Sequence, residues 1–128
     1  MVVPMGDTQP PPGVLVLEDE VIIGMEIAMS LEEAGFSVIG PFKTVDRALD
    51  ALDKETPAFG LLDLNLGRDT TSERAAEALT DMGCPFLFLT GYEASSHPVI
   101  KKFPEAECFS KPVDVRTVAR KIHAVLAS

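Results

Sequence analysis

Three acids in a row, Glu18-Asp19-Glu20, end a short apolar run, Val14-Leu15-Val16-Leu17. A fourth, Asp63, ends another apolar run, Gly60-Leu61-Leu62. Thr90 closes Phe86-Leu87-Phe88-Leu89, and Lys111 follows Cys108-Phe109-Ser110. Carboxylates crowded together repel and raise one another's pKa. A hard cation relieves that repulsion, and carboxylate, carbonyl and water oxygens suit octahedral Mg²⁺. Such a metal neutralises charge while a phosphoryl group moves. Lys111 adds a point charge for one phosphoryl oxygen and Thr90 a hydroxyl donor for another. Asp63 is then left as a nucleophile that forms an acyl phosphate. Taken singly, each signal has a plainer reading: acids at a helix start complement its dipole, and Asp, Thr-Gly and Lys-Pro are common in turns. Their joint placement at the same end of four apolar segments favours one shared chemistry.

The surrounding pattern explains how they meet. Short apolar segments without polar alternation occur at Val14–Leu17, Phe36–Ile39, Phe59–Leu62, Pro85–Leu89 and Ala106–Phe109, as expected of strands covered on both faces. Between them run helical periods. Ile23, Ile27, Leu31 and Ala34 share a face over 20–34, stopped by Gly35. Thr44 can cap 45–55, with Ala48, Leu49 and Leu52 inward. A third helix is expected over 68–82, and a fifth over 112–126 with Pro112 in its first turn. Pro98 and Pro104 leave room for only a short fourth helix. Five β-α repeats imply a doubly wound parallel sheet of flavodoxin-like (βα)5 type in the order 2-1-3-4-5, with function at the carboxyl ends of the strands. Strands 1, 3, 4 and 5 are then neighbours, which gathers the acids, the hydroxyl and the ammonium on one rim.

The residues Val14-Leu15-Val16-Leu17-Glu18-Asp19-Glu20, Leu62-Asp63-Leu64-Asn65-Leu66, Leu89-Thr90-Gly91 and Lys111-Pro112 resemble the receiver domain of two-component response regulators. The resemblance covers about residues 13–127. It implies that Asp63 accepts phosphate from a histidine kinase or a histidine phosphotransfer protein. It implies Mg²⁺ bound by Asp19, Asp63 and the backbone carbonyl of Asn65, with Glu18 reaching it through water, and Thr90 and Lys111 contacting the phosphoryl group. The stretch Pro85–Tyr92 is similar to the single-domain subgroup named for a Phe-Ala-Thr-Gly-apolar-Tyr motif, with Leu89 in place of Ala and Glu93 in place of the second aromatic. That subgroup implies a kinase of the HWE or a related type. Cys108 stands where the family usually carries an aromatic, so a ring swinging inward behind Thr90 is not available at that position.

The first helix carries a second apolar set, Ile22, Met25 and Met29, which fits either a partner surface or cover by the last helix or the leader. In the family this is where phosphodonor helices dock, and Gly91 and Tyr92 border the same approach.

The chain of 128 residues carries a net charge of −9, which argues against a nucleic-acid groove and against anchorage on anionic lipid. No apolar run is long enough for a membrane span and no signal peptide is evident, so a cytoplasmic protein is expected. Residues 1–12 form a proline-rich leader, expected to be flexible, ahead of one domain over 13–128. Cys84 and Cys108 are expected as two buried, reduced thiols, and His97 and His123 as surface residues. With the chain ending at Ser128, the expectation is a stand-alone switch that signals by protein contact or drains phosphate from a kinase, and not an enzyme with a separate catalytic output. Two alternatives stay open: an aspartate-nucleophile phosphohydrolase, although Asn65 replaces the general acid such enzymes use two residues on, and a receiver-like adaptor that works without phosphate.

Overall fold

Hydrophobic strands that are buried on both sides need helices on both faces, and the chain supplies them in strict alternation. A computed structural model describes residues 10–67, 70–91 and 97–127. The strands are β1 Gly13–Leu17, β2 Ser37–Phe42, β3 Phe59–Asp63, β4 Phe86–Thr90 and β5 Glu107–Ser110. The helices are α1 Val21–Glu33, α2 Val45–Leu52, α3 Glu73–Asp81, α4 Pro98–Lys102 and α5 Val115–Leu126. The five strands form one sheet in the order β2-β1-β3-β4-β5, and every adjacent pair is parallel. This is the flavodoxin-like order expected from the alternation.

Side-chain alternation along each strand divides the core in two. Leu15, Leu17, Leu62 and Phe88 pack with Ala48, Ala76 and Leu79 of α2 and α3. Val14, Val16, Leu61, Leu87 and Leu89 pack with Ile27, Leu31, Val118 and Ile122 of α1 and α5. β3 lies at the centre and is buried along its whole length, whereas β5 is an edge strand with only Phe109 partly covered. Thr44 caps α2 by accepting from the Arg47 amide at 3.2 Å. Gly35, with φ of 99°, turns the chain out of α1 in a conformation that disfavours a side chain.

Several boundaries differ from expectation. α2 stops at Leu52, short of Glu55. α3 begins at Glu73, not Arg68, because Asn65 bridges Thr71 and the Leu66 amide donates to the Thr70 carbonyl, which engages the backbone in a turn. α5 begins at Val115, not Pro112: the Asp114 side chain caps the helix by accepting from the Arg116 amide at 3.1 Å. Cys108 is exposed, contrary to the expected buried thiol. It lies on the edge strand β5, in register with Phe88 of β4. Cys84 is buried, and both thiols are free. His123 is exposed and stacks on Phe36. His97 is half-buried and caps α4 by accepting from the Val99 amide, so it is not a plain surface residue. Residues 1–9, which hold most of the leader, and Tyr92 lie outside the described residues.

Candidate functional site

Sheet register delivers the side chains. Leu17 pairs with Leu62, so Glu18 and Asp63 leave adjacent strands at the same level. Asp63 pairs with Leu89, which puts Thr90 one step beyond it, and Thr90 pairs with Ser110, which puts Lys111 one step further. The chain past β1 is held by the Glu18 amide donating to the Phe42 carbonyl at 2.8 Å. The start of the β5–α5 loop is held by the Lys111 amide donating to the Thr90 carbonyl at 2.7 Å.

The result is a tight acidic cluster. One oxygen from each of Glu18, Asp19 and Asp63 lies within 4.8 Å of the others. Glu18 and Asp63 are buried, while Asp19 is half-exposed at the mouth. Lys111 reaches in from the far side: its Nζ donates to Asp63 Oδ2 at 3.0 Å and stands 2.9 Å from Glu18 Oε1. The Glu20 amide donates to Glu18 Oε2 at 3.1 Å. Glu18 Oε1 is buried and, although close to the ammonium, receives no directed hydrogen bond.

These contacts set the electrostatics. Burial and the neighbouring Glu18 push the Asp63 carboxyl up to about 8, against the opposing pull of Lys111. Burial works against the Lys111 ammonium, but Glu18 and Asp63 together hold its pKa above the usual lysine value. The charge of the cluster is therefore only partly balanced. A buried, under-coordinated carboxylate oxygen beside two further carboxylates is a donor set that fits a hard divalent cation.

The sequence expectations for Glu18, Asp19, Asp63, Thr90 and Lys111 thus converge on one rim. Asn65 is exposed in the loop two residues past Asp63, held by its bridge to Thr71. Ile22, Met25 and Met29 are exposed on α1, and Gly91 is exposed at the end of β4, with no atom of the described residues within 4 Å of where a Cβ would stand. What residue patterning missed is the double engagement of Lys111, which spans both buried acids. It also missed Gly67 (φ 92°), whose Cβ position lies 3.8 Å from Asp19 Oδ2; Gly67 after Asn65-Leu66 is the signal that could have flagged a tight loop there.

No family model matches the chain. Among curated proteins it is 24% identical over 119 residues to the transcriptional regulatory protein PdtaR of Mycobacterium tuberculosis, covering 93% of this chain and 57% of that protein. The chain therefore spans little more than half the length of the curated relatives it matches. Among solved structures, SdrG from Sphingomonas melonis Fr1 is 30% identical with a TM-score of 0.76, over 94% of this chain and 100% of that one. A response regulator protein from Burkholderia pseudomallei, solved with a phosphorylated aspartic acid, calcium ion and citrate, is 26% identical with a TM-score of 0.71, over 91% and 73% of the two chains. The signal receiver domain of a modulated diguanylate cyclase from Desulfovibrio desulfuricans G20 superposes with a TM-score of 0.79 at 24% identity, over 91% and 94%.

A parallel 2-1-3-4-5 sheet with carboxylates and a lysine gathered at its carboxyl rim defines a class of α/β domains. This chain has the receiver-domain fold of response regulators. No helix among the described residues is long and apolar enough to cross a membrane.

Proposed function

We propose that the protein is a phosphorylation-controlled switch in which Asp63 accepts a phosphoryl group from a phosphohistidine on a histidine kinase or histidine phosphotransfer protein. The observation that carries this reading is the buried Asp63 carboxylate held 3.0 Å from Lys111 Nζ, within a cluster of acids able to share a cation.

Asp19, Asp63 and the Asn65 carbonyl would hold Mg²⁺ directly, with Glu18 behind a water. The cation, when bound, supplies charge neutralisation for the transferring group. The remaining work belongs to the chain. An Asp63 oxygen attacks phosphorus as the P–N bond to the donor imidazole breaks, and the electron pair leaves with that nitrogen. Lys111 exchanges a carboxylate oxygen for a phosphoryl oxygen, and Thr90 donates its hydroxyl to another. Attack by water on phosphorus reverses the modification and releases inorganic phosphate.

Ile22, Met25 and Met29 on α1, with the small Gly91 after β4, form the donor docking face in this reading; Tyr92 is assigned to the same face from sequence alone. The run from Phe86 to Gly91 supports the single-domain subgroup and a donor of the HWE or a related kinase type. Output passes through contact with a downstream protein or through removal of phosphate from the kinase.

Incubation with acetyl phosphate and Mg²⁺ tests the core of this reading. The expected result is one phosphoryl adduct per chain by intact mass, absent without the metal and absent in Asp63→Asn. Steady turnover of a phosphomonoester without a stoichiometric adduct would instead establish a phosphohydrolase.

A further inference from the structure

The acids gather where the strands end; at the opposite rim, where the strands begin, the sheet is open. A cavity of about 540 Å³ lies there, between the carboxyl ends of α3 and α4 and the starts of β4 and β5. Its walls include Cys84, Pro85, Phe86, Phe103, Pro104 and Ala106. Phe86 meets Phe103 edge to face at 5.7 Å between ring centroids, and both rings are only half-buried, whereas Phe36, Phe59 and Phe88 are buried. The cavity offers little charge. Lys102 on its wall is paired with Glu73, and Glu105 forms no ion pair among the described residues. A space of this size and polarity suits several aliphatic side chains.

The sequence holds such a group on the same rim. Because every strand is parallel, the start of β1 lies on the rim where β4 and β5 begin. The chain enters β1 there, its root held by the Ser37 amide donating to the Pro12 carbonyl at 3.0 Å. From β1 to β4 is two strand spacings, about 10 Å. Upstream of Pro10 the sequence reads Met1-Val2-Val3-Pro4-Met5, with apolar, uncharged side chains, and then Gly6-Asp7-Thr8-Gln9. At about 3.3 Å per extended residue, Met5 can stand about 17 Å from Pro10 and Met1 about 30 Å, so the apolar run reaches the cavity with the polar stretch as spacer. A short tether gives it an effective concentration in roughly the millimolar range, at which a modest apolar contact is enough. A second copy has no such advantage: it must meet the cost of association, and two chains of net charge −9 repel.

We infer that residues 1–5 fold beneath the sheet into the α3–α4 cavity of their own chain as an apolar plug. The plug covers the open parts of Phe86 and Phe103 and braces α4, a five-residue helix that the exposed Lys102–Glu73 pair also ties to α3. It is independent of the phosphoryl chemistry proposed for the other rim.

The full chain carrying Val2→Asp and Val3→Asp, compared with the parent, tests the inference. ¹⁵N NMR is expected to show shifts at Thr80, Gly83, Cys84, Phe103 and Ala106 that are unchanged on dilution. Cys84, which lines the cavity, should be labelled by a thiol reagent about three-fold faster in the variant, after Cys108 has reacted. Val2→Leu with Val3→Leu keeps the run apolar and should keep the parent's labelling rate. Identical spectra at the cavity, an unchanged Cys84 rate, or a leucine variant labelled as fast as the aspartate variant would each overturn the inference. Shifts confined to α1 would move the segment to the stripe of Ile22, Met25 and Met29, and a difference that vanishes on dilution would assign the plug to a second copy; either result overturns it as well.

Discussion

β3 and β5 end at the same site and are built on opposite terms. β3 is buried from Phe59 to Asp63, and its last residue is an acid that burial and Glu18 drive toward the neutral form. β5 has three exposed residues out of four, and the lysine that follows it balances the acid from outside. Asp63 is thus fixed by packing, while its counter-charge arrives from a lightly covered edge. A group that must hold one geometry through repeated chemistry belongs on the first kind of strand. A group that must change partners belongs after the second.

The largest break in this comparison comes from the core. Leu62→Ala, at a fully buried position, should cost about 2–5 kcal/mol in urea unfolding, whereas Cys108→Ala should stay within about 0.5 kcal/mol. Comparable losses at the two positions would erase the distinction between the strands.

Metal should act next. A divalent cation bound only to the folded chain stabilises it by about 2.7 kcal/mol at a hundred times its dissociation constant. A cation bound in the proposed way would replace a proton on Asp63, so the rise in melting temperature with Mg²⁺ should be greater at pH 8 than at pH 5. A rise independent of pH would place the cation elsewhere.

The Asp63 carboxyl gives a third measurement, made without metal. Its folded pKa of about 8 exceeds the ordinary 3.8, so between those values the folded chain keeps a proton that the unfolded chain has lost. The contribution to stability is complete below about pH 4, declines as pH rises, and is lost once pH passes about 8. Asp63→Asn, neutral throughout, should therefore be more stable than the parent at pH 8 and nearly equal to it at pH 4, as read by the urea midpoint. An unchanged difference across that range would show that the site is not strained by charge.

The smallest effect concerns the edge alone. Lys102 of α4 pairs with Glu73 of α3 at an exposed position. Lys102→Met should leave the urea midpoint and the melting transition of the core indistinguishable from the parent's.

Much of this arrangement is legible in the sequence because apolar strands announce their own ends. Glu18, Asp63, Thr90 and Lys111 each follow an apolar run, and alternation with helices fixes the strand order. The short fourth helix is legible for the same reason, since Pro98 and Pro104 bracket it. The start of α3 is not, because the Asn65–Thr71 bridge is a contact across a loop that no periodicity encodes. Pro112 suggests a helix start by composition, while the side chain that caps α5 is Asp114, two residues later. The exposure of Cys108 follows from the edge position of β5, a tertiary fact that reading Ala106–Phe109 as a strand covered on both faces conceals. Nor does a string of acids reveal that one lysine spans two of them.

The exposed thiol of Cys108 gives the natural chain a ready attachment point for a fluorescent reporter. Cys84 is buried and its thiol is pushed up to about 11, so a maleimide dye at neutral pH modifies Cys108 first. The dye then rides on the strand that leads to Lys111, three residues before the lysine whose Nζ donates to Asp63, with no engineered cysteine required.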